Sequence, residues 1–303
     1  MHITKSSPRL AAFPIAAFAL LLGACESGTS QSDDAAIKAG RENVEAMAAE
    51  HANDSTEASP AAKLQPARAV VSQTMPYTEY NDELVYGYFS APADMFEPLP
   101  AVIMIHEWWG LNDNIKAMAD RLAGEGFIVF AVDLYNGRVA ANPGEARVFM
   151  TTAIEEPEAV NSNIRAAYDF VSNTAGAPRV GSIGWCFGGG MSLNTAKLFP
   201  DELDAAVIYY GQVTSDDEQL QPVNAPILGL FAAEDTGIKV ASVEGFRDAL
   251  ERLRKNYEVQ IYPGVGHAFA NPTGSNYDAE TAEDAWRRTV DFFNLHLAIN
   301  ATP

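Results

Sequence analysis

Cysteine is almost absent from this 303-residue chain, which carries only Cys25 and Cys186. With no C-x-x-C pair and no second free thiol nearby, a disulfide framework, a cysteine-rich metal site and a dithiol redox centre are all excluded. Positive charge is scarce as well. Lys and Arg number 20 against 40 Asp and Glu, for a formal net charge of −20. So acidic a chain has no basic stripe to neutralise phosphates, and nucleic acid is excluded as a partner. Metal-ligand spacing is missing too: His106, Glu107, Asp235 and His267 form no short-range pattern such as H-E-x-x-H, so no metal and no cofactor is expected. The leading apolar run, Leu10 to Leu22, is 13 residues long and too short to span a bilayer comfortably.

That run is the right length for the core of a signal peptide, with Lys5 and Arg9 as its basic flank. It ends Leu21-Leu22-Gly23-Ala24-Cys25, which resembles a bacterial lipobox. Residues 1–24 are therefore expected to be removed and Cys25 to become a lipidated N-terminus, tethering the protein to the cell envelope on the periplasmic side. Glu26, where an Asp is associated with inner-membrane retention, points to the outer membrane. Residues 25–66 are rich in Ala, Ser, Glu and Asp and poor in large apolar side chains, so they read as a flexible acidic tether, with a transient helix over 37–50. The composition changes near Ala67, and residues 67–303 read as one α/β domain. Protein partners are not legible in it.

Within that domain apolar runs alternate with helical patterns. Segments 70–76 and 84–90 read as an opening antiparallel pair. Strands are expected at 101–105, 127–132, 179–185, 205–210, 226–232 and 258–262. Helices are expected at 112–123, 143–154, 157–173, 191–198, 240–255 and 279–297. Alternation of this kind implies a mostly parallel sheet with helices on both faces. Sites in such sheets lie beyond the carboxyl ends of the strands.

Gly184-Trp185-Cys186-Phe187-Gly188 sits between a strand and a helix, as a nucleophile elbow does. A thiol there needs a base and a residue to orient the base. His267, in a glycine-flanked loop after the last strand, is favoured over His106, which lies on the opposite loop, and over His296 in the terminal helix. His2 falls in the signal and His51 in the tether. Asp235 is favoured as orienter over Asp133, too early in chain order, and over its neighbour Glu234. The order nucleophile, acid, histidine is that of α/β-hydrolases.

Residues 79–298 resemble the dienelactone hydrolase (carboxymethylenebutenolidase) family of the α/β-hydrolase fold. The resemblance rests on His106-Glu107-Trp108-Trp109-Gly110-Leu111-Asn112, Asp133-Leu134-Tyr135, the elbow, Tyr209-Tyr210-Gly211, Glu234-Asp235 and Gly266-His267-Ala268-Phe269. It implies Cys186 as nucleophile, His267 as base, Asp235 as orienter, and Glu107 as a carboxylate contacting the resting thiol. The residue-level alternative for Glu107 is a cap on the helix beginning near Asn112. The resemblance also implies an oxyanion hole from the amides of Phe187 and Trp108. Trp109, Phe269 and Asn271 are expected to contact substrate. Asn271 stands where the family pattern has an arginine, so a small neutral ester or lactone is the expected substrate, with Arg138 and Arg147 as alternative cations for an anionic one. The competing reading is a non-catalytic ligand- or partner-binding module on the same fold.

Overall fold

The computed structural model describes residues 64–95 and 97–299, together with residues 38, 41, 44, 45, 47–51, 54 and 59. The leader and Cys25 lie outside the described residues. Eight strands form one sheet: β1 (Val70–Tyr80), β2 (Glu83–Pro92), β3 (Ala101–Ile105), β4 (Ile128–Val132), β5 (Val180–Trp185), β6 (Ala205–Tyr209), β7 (Ile227–Ala232) and β8 (Tyr257–Tyr262). Their order is β1-β2-β4-β3-β5-β6-β7-β8, with β1 and β2 antiparallel and the rest parallel from β4 onward. This is the α/β-hydrolase arrangement expected from the sequence. Strands β3 to β7 are buried at every position, which is why they read as unbroken apolar runs and not as alternating ones.

The helices are α1 (Asp113–Gly124), α2 (Pro143–Glu155), α3 (Pro157–Asp169), α4 (Phe187–Leu198), the short α5 (Asp217–Leu220), α6 (Val240–Arg252) and α7 (Ala279–His296). Local chemistry sets their starts. Asn112, Asn142 and Asp278 cap α1, α2 and α7 through their side-chain oxygens, and Pro143 and Pro157 open α2 and α3. Some expected boundaries move. The opening strands are longer than 70–76 and 84–90, because Pro76 sits on an edge strand at a register shift and does not end it. Helix α4 begins at Phe187, not at residue 191, because the glycines after the elbow are already helical.

Topology positions the site. The chain leaves β3 toward β4 on one side and returns to β5 on the other, and such a reversal opens a crevice beyond the strand ends. Ile105 pairs with Gly184, so the loop 106–112 and the elbow at Cys186 emerge side by side.

Candidate active site

Cys186 has φ 54° and ψ −116°, a strained backbone for a residue with a Cβ. Glycines make the turn possible. A Cβ on Gly184 would lie 2.1 Å from the carbonyl oxygen of Gly188, and one on Gly188 would lie 2.3 Å from that of Ile105. The Cys186 amide donates to the Tyr209 carbonyl at 3.0 Å, pinning the elbow to β6. Phe187, the first residue of α4, offers its amide among the helix N-terminal N–H groups that have no intrahelical acceptor.

His267 and Asp235 meet as the sequence predicts. The imidazole Nδ1 donates to Asp235 Oδ2 at 2.7 Å, and Asp235 Oδ1 accepts from the amides of Gly237 and Ile238 at 2.8 and 2.7 Å. The carboxylate is thus held by the loop after β7, and it fixes His267 with Nε2 free. That Nε2 is buried without a hydrogen-bond partner and lies within 4.8 Å of Cys186 Sγ. Burial opposes charge on both groups, but the attraction between them prevails. For His267 burial is the largest single influence and lowers it, but the Cys186 charge and the Asp235 hydrogen bond together raise it to about 10. The thiol, with His267 acting ahead of His51, is lowered to about 6.

The rival residues do other work. His106 is buried, with Nδ1 on the Glu107 carbonyl at 2.6 Å and Nε2 accepting from the Leu134 amide at 3.1 Å, so it ties together the loops after β3 and β4. Burial keeps it neutral. Asp133 accepts from the amides of Tyr135 and Gly137, closing its own loop. Glu234 is exposed, and His296 packs on Phe292 at a ring separation of 4.5 Å.

Glu107 is buried, and neither carboxylate oxygen has a hydrogen-bond partner. The helix cap belongs to Asn112, which removes the structural alternative for Glu107. The hydrogen bond to the thiol that the resemblance suggests is not formed, because the sulfur is turned toward imidazoles that stabilise its charge. Burial, with the Cys186 charge adding to it, raises Glu107 to about 8, so it is neutral at pH 7.

The described part of the 25–66 segment is seated on this site, which corrects the expectation of a free tether there. The described residues between 38 and 50 are helical, and Val44, Met47 and His51 are fully buried. Met47 Sδ lies 3.5 Å from Cys186 Sγ, and His51 Nε2 lies 3.7 Å from it. The His51 ring stacks on Trp108 at 4.8 Å, and its Nδ1 bonds Asp54 Oδ2 at 2.6 Å. Asp54 Oδ1 accepts from the Ser275 amide at 2.8 Å, while Glu50 accepts from the Thr236 amide at 3.2 Å. Arg41 pairs with Glu155 and Glu45 with Arg147. A Cβ on Gly237 would come within 1.9 Å of Met47 Cε, so that glycine makes the seat for the methionine. The signal was present as Val44, Met47, Ala48 and His51, spaced i, i+3, i+4, i+7 on one helical face.

Beside the thiol lies a cavity of about 410 Å³, bounded by Met47, Cys186, Phe187, Met191, Tyr210 and Lys197 among others. Trp109, Phe269 and Asn271 do not line it. Trp109 is buried edge-on to Trp108, Phe269 packs between Tyr210 and Tyr262, and Asn271 Oδ1 accepts from Thr273 within its own loop. Neither alternative arginine reaches it: Arg138 lies over Phe149 and Arg147 is paired with Glu45. The cation on the cavity wall is Lys197, bonded to Gln219 at 3.3 Å, which no sequence motif marked.

A model of the dienelactone hydrolase family matches residues 85–297. The chain belongs to that family. Among dienelactone hydrolase relatives, it is 34% identical over 233 residues to a protein of Saccharolobus solfataricus provisionally assigned as a carboxymethylenebutenolidase, covering 64% of this chain and 89% of that one. It is 37% identical over 228 residues to the protein usf of Aquifex pyrophilus, covering 72% and 96%. A Klebsiella pneumoniae structure provisionally assigned as a dienelactone hydrolase superposes with a TM-score of 0.65 at 28% identity, covering 75% of this chain and 99% of that one. The protein is thus a hydrolase of the α/β-hydrolase fold.

Proposed function

We propose that this hydrolase cleaves esters or lactones through an acyl-thioenzyme on Cys186. The observation that carries the reading is the line Asp235–His267–Cys186 at the ends of β7, β8 and β5, buried and with the imidazole tautomer fixed. The thiolate adds to the substrate carbonyl, and the amides of Phe187 and Trp108 receive the oxyanion, each donor being worth roughly 3 kcal/mol. His267 gives its proton to the leaving alcohol, then accepts one from the water that releases the acid. The mainly apolar cavity beside the sulfur suits a neutral substrate with a hydrocarbon acyl group.

Lys5, Arg9, the apolar run and Cys25 support lipid anchoring in the cell envelope, facing the periplasm, with Glu26 favouring the outer membrane. Among the described residues no helix is long and apolar enough to cross a membrane. The test of the chemistry is turnover of an activated aryl ester. Cys186→Ala should lose roughly 10⁴-fold or more with its fold intact, and Cys186→Ser should keep only a trace. Wild-type turnover by the alanine variant would overturn the assignment.

A further inference from the structure

Acyl transfer needs one imidazole, yet two converge on the thiol. They are presented in the same way. Asp235 holds Nδ1 of His267 at 2.7 Å, and Asp54 holds Nδ1 of His51 at 2.6 Å. A carboxylate on Nδ1 leaves the lone pair on Nε2 and raises its basicity, as it does for imidazoles that ligate metals. Both Nε2 atoms face Cys186 Sγ, and the three atoms lie within 4.8 Å of one another, all in buried residues. His267 Nε2 has no hydrogen-bond partner there.

The spacing suits a small cation. Zinc bonds of about 2.0–2.1 Å to nitrogen and about 2.3 Å to sulfur put neighbouring tetrahedral ligands roughly 3.4–3.6 Å apart. Cys186 Sγ and His51 Nε2 stand 3.7 Å apart, and the Met47 thioether lies 3.5 Å from the same sulfur as a soft neighbour. One thiolate and two carboxylate-oriented imidazoles select a thiophilic ion over calcium or magnesium, which prefer oxygen.

We propose that Cys186, His267 and His51 bind one zinc-type divalent cation, and that hydrolysis is silenced while it is bound. The silencing rests on the reading of Cys186 as nucleophile; the binding does not. On binding, sulfur and the two Nε2 atoms each donate a lone pair, protons carried by these groups pass to water, and no electron is transferred. The sulfur and the base are then both occupied, and a chelator restores them. Because His51 comes from the N-terminal segment, the cation also fastens that segment to the domain.

The experiment uses the mature full-length chain with Zn²⁺ or Co²⁺ alone. Competition with a chelator should give one Zn²⁺ per chain. Co²⁺ should produce a thiolate-to-metal charge-transfer band that Cys186→Ala lacks. His51→Gln should weaken Zn²⁺ binding by at least about a hundredfold, and Asp54→Asn, which replaces the carboxylate on His51 Nδ1 by an amide, by about ten- to a hundredfold. Circular dichroism checks that each variant is folded. Zinc inhibition of ester hydrolysis, each variant compared with its own metal-free rate, should weaken in the same order. Wild-type affinity in His51→Gln, or bound Co²⁺ without the charge-transfer band, would overturn the site. Cys186-dependent hydrolysis at saturating Zn²⁺ would overturn the silencing. An inactive metal-free enzyme would instead count against the hydrolase reading, while the binding arms still decide the metal site.

Discussion

The charge on Cys186 is set by its neighbours. Burial favours a neutral thiol, but His267 first and His51 second reverse that and lower it to about 6. His267, against the desolvation that would lower it, is raised to about 10. A coupled pair of this kind titrates as a unit, with thiolate and imidazolium together between the two values. The thiolate forms as pH rises through the lower value, and the imidazolium is lost as pH rises through the upper; under the proposed chemistry these are the nucleophile and the proton donor. Hence kcat/KM for an ester should rise through about pH 6, hold a plateau, and fall toward about pH 10. A profile that climbs only above pH 8, as for an unassisted thiol, would contradict the ion pair. Glu107, being neutral at pH 7, adds no charge beside the pair on the lower part of this range.

Among the elements, the N-terminal segment departs most from what composition suggests. Val44 and Met47 are buried on one helical face, with Met47 in a seat shaped by Gly237, while Glu50 and Asp54 bond loop amides at Thr236 and Ser275. Truncating Met47 should open the seat. A buried methionine reduced to alanine costs about 2–5 kcal/mol, so Met47→Ala should raise the alkylation rate of Cys186 by at least about tenfold. An unchanged rate would mean that the methionine does not shield the sulfur. The buried strands, the elbow and the Asp235–His267 pair were legible in sequence, because apolar runs and strand-end polar residues carry direct signals. The opening strands outran their signal because an edge strand tolerates Pro76. Asn271 and Phe269 do not line the cavity, because position after His267 does not say which way a side chain turns. Lys197 was invisible because its role depends on α4 running along the cavity. His51 was passed over because its approach to Cys186 spans 135 residues of chain, a distance that no local pattern encodes.

At the scale of the whole molecule, a strongly acidic domain is joined through residues 25–66 to an expected lipid on Cys25. Membrane-derived protein should therefore carry an acylated Cys25 by mass spectrometry, and Cys25→Ser should leave the detergent phase; an unmodified N-terminus downstream of Cys25 would contradict the anchor. The fold, the Asp235–His267 pair and the cavity converge on one sulfur, and the most direct test weighs what that sulfur carries. Mixed briefly with an activated aryl ester and quenched in acid, the wild type should gain the mass of one acyl group. Peptide mapping should place it on Cys186, and His267→Ala should slow its release. An acyl group on another residue, or turnover by Cys186→Ala at the wild-type rate, would contradict the account.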